Sequence, residues 1–167
     1  ALESSRDLYI HKNDALTEID FPALTESSSS LSIYQNDDLT DIDLSALESS
    51  NNLSIYQNSA LTDLDLSGLE SVAGNLSIYS NDVVTNMDLD NLESVAGNFV
   101  FANNDGIVDL ELPNLSSLGF GHYTWRVYEN DMLETVSFPV LAETSHIRVY
   151  KNPKLTSLST PSLTSIY

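Results

Sequence analysis

The sequence predicts an all-β fold: a parallel β-solenoid, a right-handed coil of about seven repeats of 22–26 residues. Three observations predict it. One phrase is written three times, as LSIYQNDDLTDIDLSALES at 31–49, LSIYQNSALTDLDLSGLES at 53–71 and LSIYSNDVVTNMDLDNLES at 76–94. An asparagine returns at Asn13, Asn36, Asn58, Asn81, Asn104, Asn130 and Asn152, at spacings of 23, 22, 23, 23, 26 and 22 residues. A fixed period in this range is the mark of a solenoid. Finally, apolar and polar residues alternate with a period of two in the short runs Leu-Ser-Ile-Tyr and Leu-Asp-Leu. No stretch holds a 3.6-residue period for the ten or more residues that a helix needs.

Taken in order, each unit reads L-x-I-x-x-N-x-x-L-x-x-L-x-L-x-x-L. Leu-Ser-Ile-Tyr and Leu-Asp-Leu are expected as short strands. The asparagine after the first strand sits at a turn, where its carboxamide can satisfy backbone groups of its own and the neighbouring coil as a ladder. The leucines pile into one elongated core, because each coil can bury its apolar face only against its neighbours. Residues 1–167 are read as a single solenoid domain. The chain opens in mid-unit at Ala1-Leu2-Glu3-Ser4 and closes in mid-unit at Leu163-Thr164-Ser165-Ile166-Tyr167. Read as uncapped, it is expected to be a fragment of a longer solenoid or a unit that polymerises head to tail.

Composition narrows the function classes. There is no cysteine, so neither disulfides nor a thiolate metal site enters. No apolar run is long enough to span a bilayer as a helix. The formal charge is −19, from 25 acidic and 6 basic residues. Such a balance speaks against nucleic acid, whose phosphates it repels, and for cations or basic partners. The charge is uneven: residues 1–124 hold 21 acids and two bases, residues 125–167 four of each.

With the linking phrase Glu-Ser-Val-Ala-Gly-Asn at 70–75 and 93–98, the unit resembles the receptor L-domain type of leucine-rich repeat. That type occurs in insulin- and EGF-receptor ectodomains and in fungal cell-wall proteins on GPI anchors. The resemblance covers nearly the whole chain and implies an extracellular or cell-surface location. The cysteine-rich modules beside the receptor domains have no counterpart here, and no hormone-binding residue carries over.

Stacking turns each repeat position into a column with neighbours about 4.8 Å apart. One outward column holds Tyr34, Tyr56, Tyr79, Tyr128 and Tyr150, with His11 and Ala102 in the same positions. It reads either as an aromatic ladder that stabilises the sheet or as a contact face for glycan or protein. Two acidic columns flank the second strand: Glu18, Asp41, Asp63 and Asp109, then Asp20, Asp43, Asp65, Asp88 and Glu111. Neighbouring carboxylates at that spacing repel by about 0.9 kcal/mol in bulk water. The columns are therefore a hydrated face or a place for calcium, with Asp41, Asp43, Asp63 and Asp65 as its ligands. The longer unit carries GFGHYTW at 119–125, where Phe120, His122 and Tyr123 are expected to make an aromatic loop on one face, and Trp125 falls on a core leucine position. Asn52-Leu-Ser, Asn75-Leu-Ser and Asn114-Leu-Ser are N-glycosylation sequons.

No catalytic residue is expected. His11, His122 and His146 lie far apart in repeat coordinates, and a row of equal acids lacks the two differently tuned carboxyls that glycoside hydrolysis needs. A threonine column at Thr17, Thr40, Thr62 and Thr85 would suit an ice-binding plane, but aspartates border it. The reading that leads is a non-enzymatic extracellular structural protein: a surface or wall component, or a filament subunit whose partner is itself. The other is a recognition module for a protein or glycan, through the tyrosine face or the 119–125 loop.

Overall fold

The computed structural model describes residues 1–119 and 121–166. Among them every regular element is a strand, and every strand pairing is parallel. Successive coils stack as a solenoid of about seven turns with repeats roughly 23 residues apart. Each coil has three faces. On the first, strands such as Leu76–Tyr79, Phe99–Ala102, Thr124–Tyr128 and His146–Tyr150 pair in sequence order. The second face carries three-residue strands such as Asp41–Asp43 and Asp63–Asp65.

The third face was not expected from the alternation pattern. Ser71–Val72, Ser94–Val95, Ser117–Leu118 and Glu143–Thr144 form strands of only two residues, too short for a period to register. In the early coils this face runs straight into the first, as the long strands Ser4–His11, Glu26–Tyr34 and Ser49–Tyr56. The strand expected at Leu-Asp-Leu is centred one residue earlier. In Asp63–Asp65 the middle leucine points inward and both aspartates outward.

The core is one continuous cluster. Leu31, Leu53, Leu76, Phe99 and Trp125 stand in register along the first face, all buried. Full burial of such a side chain contributes about 1.5–3 kcal/mol relative to exposure. Where the unit lengthens, the column changes from leucine to aromatic. Trp125 packs edge-on against Phe138 at 4.2 Å and tilted against Phe99 at 6.0 Å.

Two tight turns per coil close the corners. Leu39, Leu61 and Val84 donate their N–H to the carbonyls of Asn36, Asn58 and Asn81 three residues before. Leu47, Leu69 and Leu92 do the same to Leu44, Leu66 and Leu89. The residue just before each ladder asparagine has a left-handed backbone, from φ 49° at Asn103 to 56° at Lys12 and Gln57, and none is glycine. Such a conformation costs an L-residue about 1–2 kcal/mol. It persists because the asparagine over-determines the corner.

Asn58 shows how. Its Oδ1 accepts from the backbone N–H of Asn36 at 3.2 Å and from the Asn36 carboxamide at 3.3 Å. Its Nδ2 donates to the Ile33 carbonyl at 3.2 Å and to Asn81 Oδ1 at 3.3 Å. Its own N–H donates to Asn81 Oδ1 at 3.2 Å. The pattern recurs from Asn13 to Asn152, and Asn36, Asn58, Asn81, Asn104 and Asn130 are wholly buried.

Replacing Asn58 with Ala leaves the buried Asn36 N–H and the Asn81 Oδ1 without their Asn58 carboxamide partners and removes the bond to the Ile33 carbonyl. Each orphaned buried group costs about 1–3 kcal/mol, so N58A is expected to lose roughly 3–5 kcal/mol in urea unfolding. Asn13→Ala, at an exposed position, is expected to lose under about 1 kcal/mol.

Candidate functional surface

The tyrosine column is an aromatic ladder. His11–Tyr34, Tyr34–Tyr56 and Tyr56–Tyr79 stack with centroids 4.6, 4.7 and 4.7 Å apart and planes within 10°. Tyr128 and Tyr150 stack at 4.9 Å. The rings meet face to face along the axis, so each covers its neighbour's π-face and only edges and hydroxyls point outward. A sugar ring that seeks an aromatic face finds it occupied within these stacks. Ala102 interrupts the ladder between Tyr79 and Tyr128 and is itself buried. Burial, with the neighbouring phenols second, raises the pKa of Tyr56 and Tyr79 above the usual tyrosine value.

The acidic columns stand in register over Glu18–Asp41–Asp63–Asn86 and Asp20–Asp43–Asp65–Asp88. Beyond Asn86 and Asp88 the second face divides into two sheets, and Asp109 and Glu111 pair in register with Thr135 and Ser137 of the following coil. The two columns differ chemically. Asp43, Asp65 and Asp88 each accept the backbone N–H two residues on, from Ser45, Ser67 and Asp90, at 2.8–2.9 Å. Such Asx turns fasten the next corner. Coils that carry Pro22, Pro113 or Pro139 at the donor position lack that N–H, and there the ring presets the turn instead.

The hydrogen bonds to Ser45 hold the Asp43 carboxyl below the ordinary range. Asp41 moves the other way: partial burial, then the charges of Asp63 and Glu18, raise it. Among the described residues no group of three or more histidine, aspartate or glutamate side chains is placed to hold a metal ion. Asp41, Asp43, Asp63 and Asp65 thus form a ladder with half of its members engaged by backbone.

The exposed threonine column also bonds along the axis. Thr40 Oγ1 donates to the Thr17 carbonyl at 3.0 Å and Thr62 Oγ1 to the Thr40 carbonyl at 3.1 Å.

Sequence reasoning missed a second asparagine ladder. Asn52 Oδ1 accepts from the N–H and the carboxamide of Asn75, at 3.0 and 3.2 Å. Asn75 Oδ1 accepts likewise from Asn98, and Asn98 Oδ1 from the Thr124 N–H at 2.9 Å. The signal was the recurrence of asparagine at 52, 75 and 98. Only Asn52 and Asn75 begin sequons, since Asn98 is followed by Phe-Val, so the sequon pattern alone hides the third member. Asn114 lies outside this ladder, its Nδ2 donating to the Asp90 carbonyl at 2.8 Å.

In the 119–125 insertion, His122 and Tyr123 are exposed and, among the described residues, share no ring contact. Phe120 lies outside the described residues. Gly121, at φ 87°, uses the conformation open to glycine, and its N–H donates to Ser145 Oγ at 2.7 Å. Trp125 occupies the core leucine position, with Nε1 buried and, among the described residues, unpartnered.

Two shallow grooves run along the axis. One, of about 470 Å³, follows the left-handed corner past Gln35, Gln57, Asp37 and Asp82. The other, of about 430 Å³, lies beside the second asparagine ladder, over Asn52, Ser54, Asn75, Ser77, Asn98, Val100 and Arg126.

Protonation separates the two aspartate columns. A group raised on folding opposes stability while ionised, so Asp41→Asn is expected to stabilise at pH 7, the gain vanishing as pH falls through the raised pKa. Asp43 is lowered, so its contribution is present above the unfolded value of about 3.9 and lost as pH falls through the folded one. D43N is expected to destabilise by about 0.5–1 kcal/mol at pH 7, after solvent screening, and by less at pH 2. Urea titrations at the two pH values check both signs.

Trp125→Phe removes an orphaned donor and is expected to be neutral or stabilising, whereas Trp125→Ala opens a cavity costing about 3–5 kcal/mol. Thermal unfolding of the two variants distinguishes them.

Compared with known proteins, the chain matches no family model, no curated protein and no solved structure.

Proposed function

We propose that this is a non-enzymatic structural protein, a stiff solenoid rod that extends by stacking coil upon coil, further copies of the chain included. One observation carries the reading. The repeated polar columns that a search for sites would single out are joined to one another along the axis. Both asparagine ladders, the threonine hydroxyls and the tyrosine stacks each bridge adjacent coils. A surface whose side chains brace its own length suits load or spacing better than turnover.

The repeat also makes coils self-complementary. The register that pairs Leu53 with Leu76 is the one that pairs Leu31 with Leu53. Any coil thus presents the axial face that another coil accepts, a heterologous contact that propagates into a filament. The likeness of the repeat to receptor L domains and the three sequons support an extracellular or cell-surface setting.

Sedimentation velocity and negative-stain microscopy over a range of concentrations test the assembly. Seven coils at about 4.8 Å span about 34 Å, and rods longer than that, at constant width, are expected. Two copies of charge −19 repel, and the Debye length shrinks from about 30 Å at 0.01 M salt to about 3 Å at 1 M. Assembly is therefore expected to increase with salt. A monomer at every concentration and ionic strength would sink the filament reading.

A further inference from the structure

We propose that the groove beside the second asparagine ladder is a binding site for a linear acidic oligosaccharide of low charge density, with Arg126 and Arg148 together receiving one of its carboxylates. The inference goes beyond the structural role and does not rest on it.

Arg126 and Arg148 are in register on neighbouring strands, both exposed. At strand spacing, two such charges repel by about 0.9 kcal/mol in bulk water. In a protein with 25 acids and 6 bases, each would be expected to find a carboxylate. Neither does: among the described residues the one ion pair is Lys151–Glu129, on the neighbouring corner. The arginines lie one and two coils beyond Val100, where the column changes from Ser54 and Ser77 to cations.

The groove leads to Arg126, and Arg148 stands one coil beyond. It holds three carboxamides (Asn52, Asn75 and Asn98) and two hydroxyls (Ser54 and Ser77), and ends at Arg126. No carboxylate lines it. Its polar groups recur at each coil, so they suit a ligand that is itself periodic and rich in hydroxyls. Apart from Val100 it offers no apolar pocket for a peptide's alternate side chains, and it lies on a sheet face instead of at an open strand edge, the place where peptides add. Guanidinium and carboxylate match in a bidentate fork. The molecule's overall negative field disfavours dense polyanions. A chain with one carboxylate among several neutral hydroxyls meets both demands.

Hyaluronan tetrasaccharide, with one carboxylate per disaccharide, is the probe. Protein made without N-glycans leaves Asn52 and Asn75 unmodified. Calorimetry is expected to show binding, with amide shifts at Ser77 and Asn98 in NMR spectra. Arg126→Ala and Arg148→Ala are each expected to weaken it about tenfold, and Arg126→Lys less. Buried Trp125 reports through its emission that the variants remain folded. Absence of binding would overturn the proposal, as would equal affinity for the carboxyl-reduced tetrasaccharide or unchanged affinity in both alanine variants. A poly-glutamate peptide bound as tightly, with the same dependence on the arginines, would overturn it in favour of a peptide site.

Discussion

The buried asparagine ladder is the interaction on which the rest of the structure depends. Each carboxamide satisfies the strand carbonyl of the coil before it and the N–H of the preceding ladder asparagine, and is satisfied in turn by the next coil. That closed set permits seven non-glycine residues to keep a left-handed backbone at the adjoining corner. It also locks the axial interval. Backbone pairing, asparagine bonds and tyrosine stacking all need a separation near 4.8 Å, and the ring centroids fall at 4.6–4.9 Å. Because the interactions share one period, none strains another.

A common period has a consequence for the surface. A side chain repeated in every coil finds its own copies at bonding distance, and the simplest use of its polar group is toward them. Thr40 and Thr62 reach back to carbonyls of their own column and Asn75 and Asn98 follow Asn52, while Asp43, Asp65 and Asp88 instead fasten turns within their own coils. Individuality enters where the repeat breaks. Ala102 ends one tyrosine stack, Val100 and Arg126 replace the serines, and Trp125 and Phe138 rebuild the core beneath. The later coils therefore carry the surface features that repetition does not account for.

The fold was legible because period and alternation are properties of the chain itself. Spacing located every asparagine of the buried ladder, and alternation found the first-face strands, with the second-face strands displaced by one residue. The third face was not legible: Ser71–Val72 and its counterparts are two residues long, and only pairing with the coils on either side makes them strands. Nor was the difference between the acidic columns. Asp41 and Asp43 are the same residue type two apart, yet one faces neighbouring charges while the other faces the Ser45 N–H.

By itself the sequence determined that coils stack, how many there are, which residues recur on each face and where the rhythm fails. These follow from the order of side chains along one dimension. Only the tertiary structure decided which repeated groups face one another and which face solvent. It showed the tyrosine faces covered by their neighbours, the sequons Asn52 and Asn75 bonded in a second ladder, and Arg126 and Arg148 without a carboxylate among the described residues. The physical reason is that hydrogen bonds and charges act over a few ångströms between residues 22 to 26 apart in the chain. Their direction is set by corner geometry that no column of letters contains.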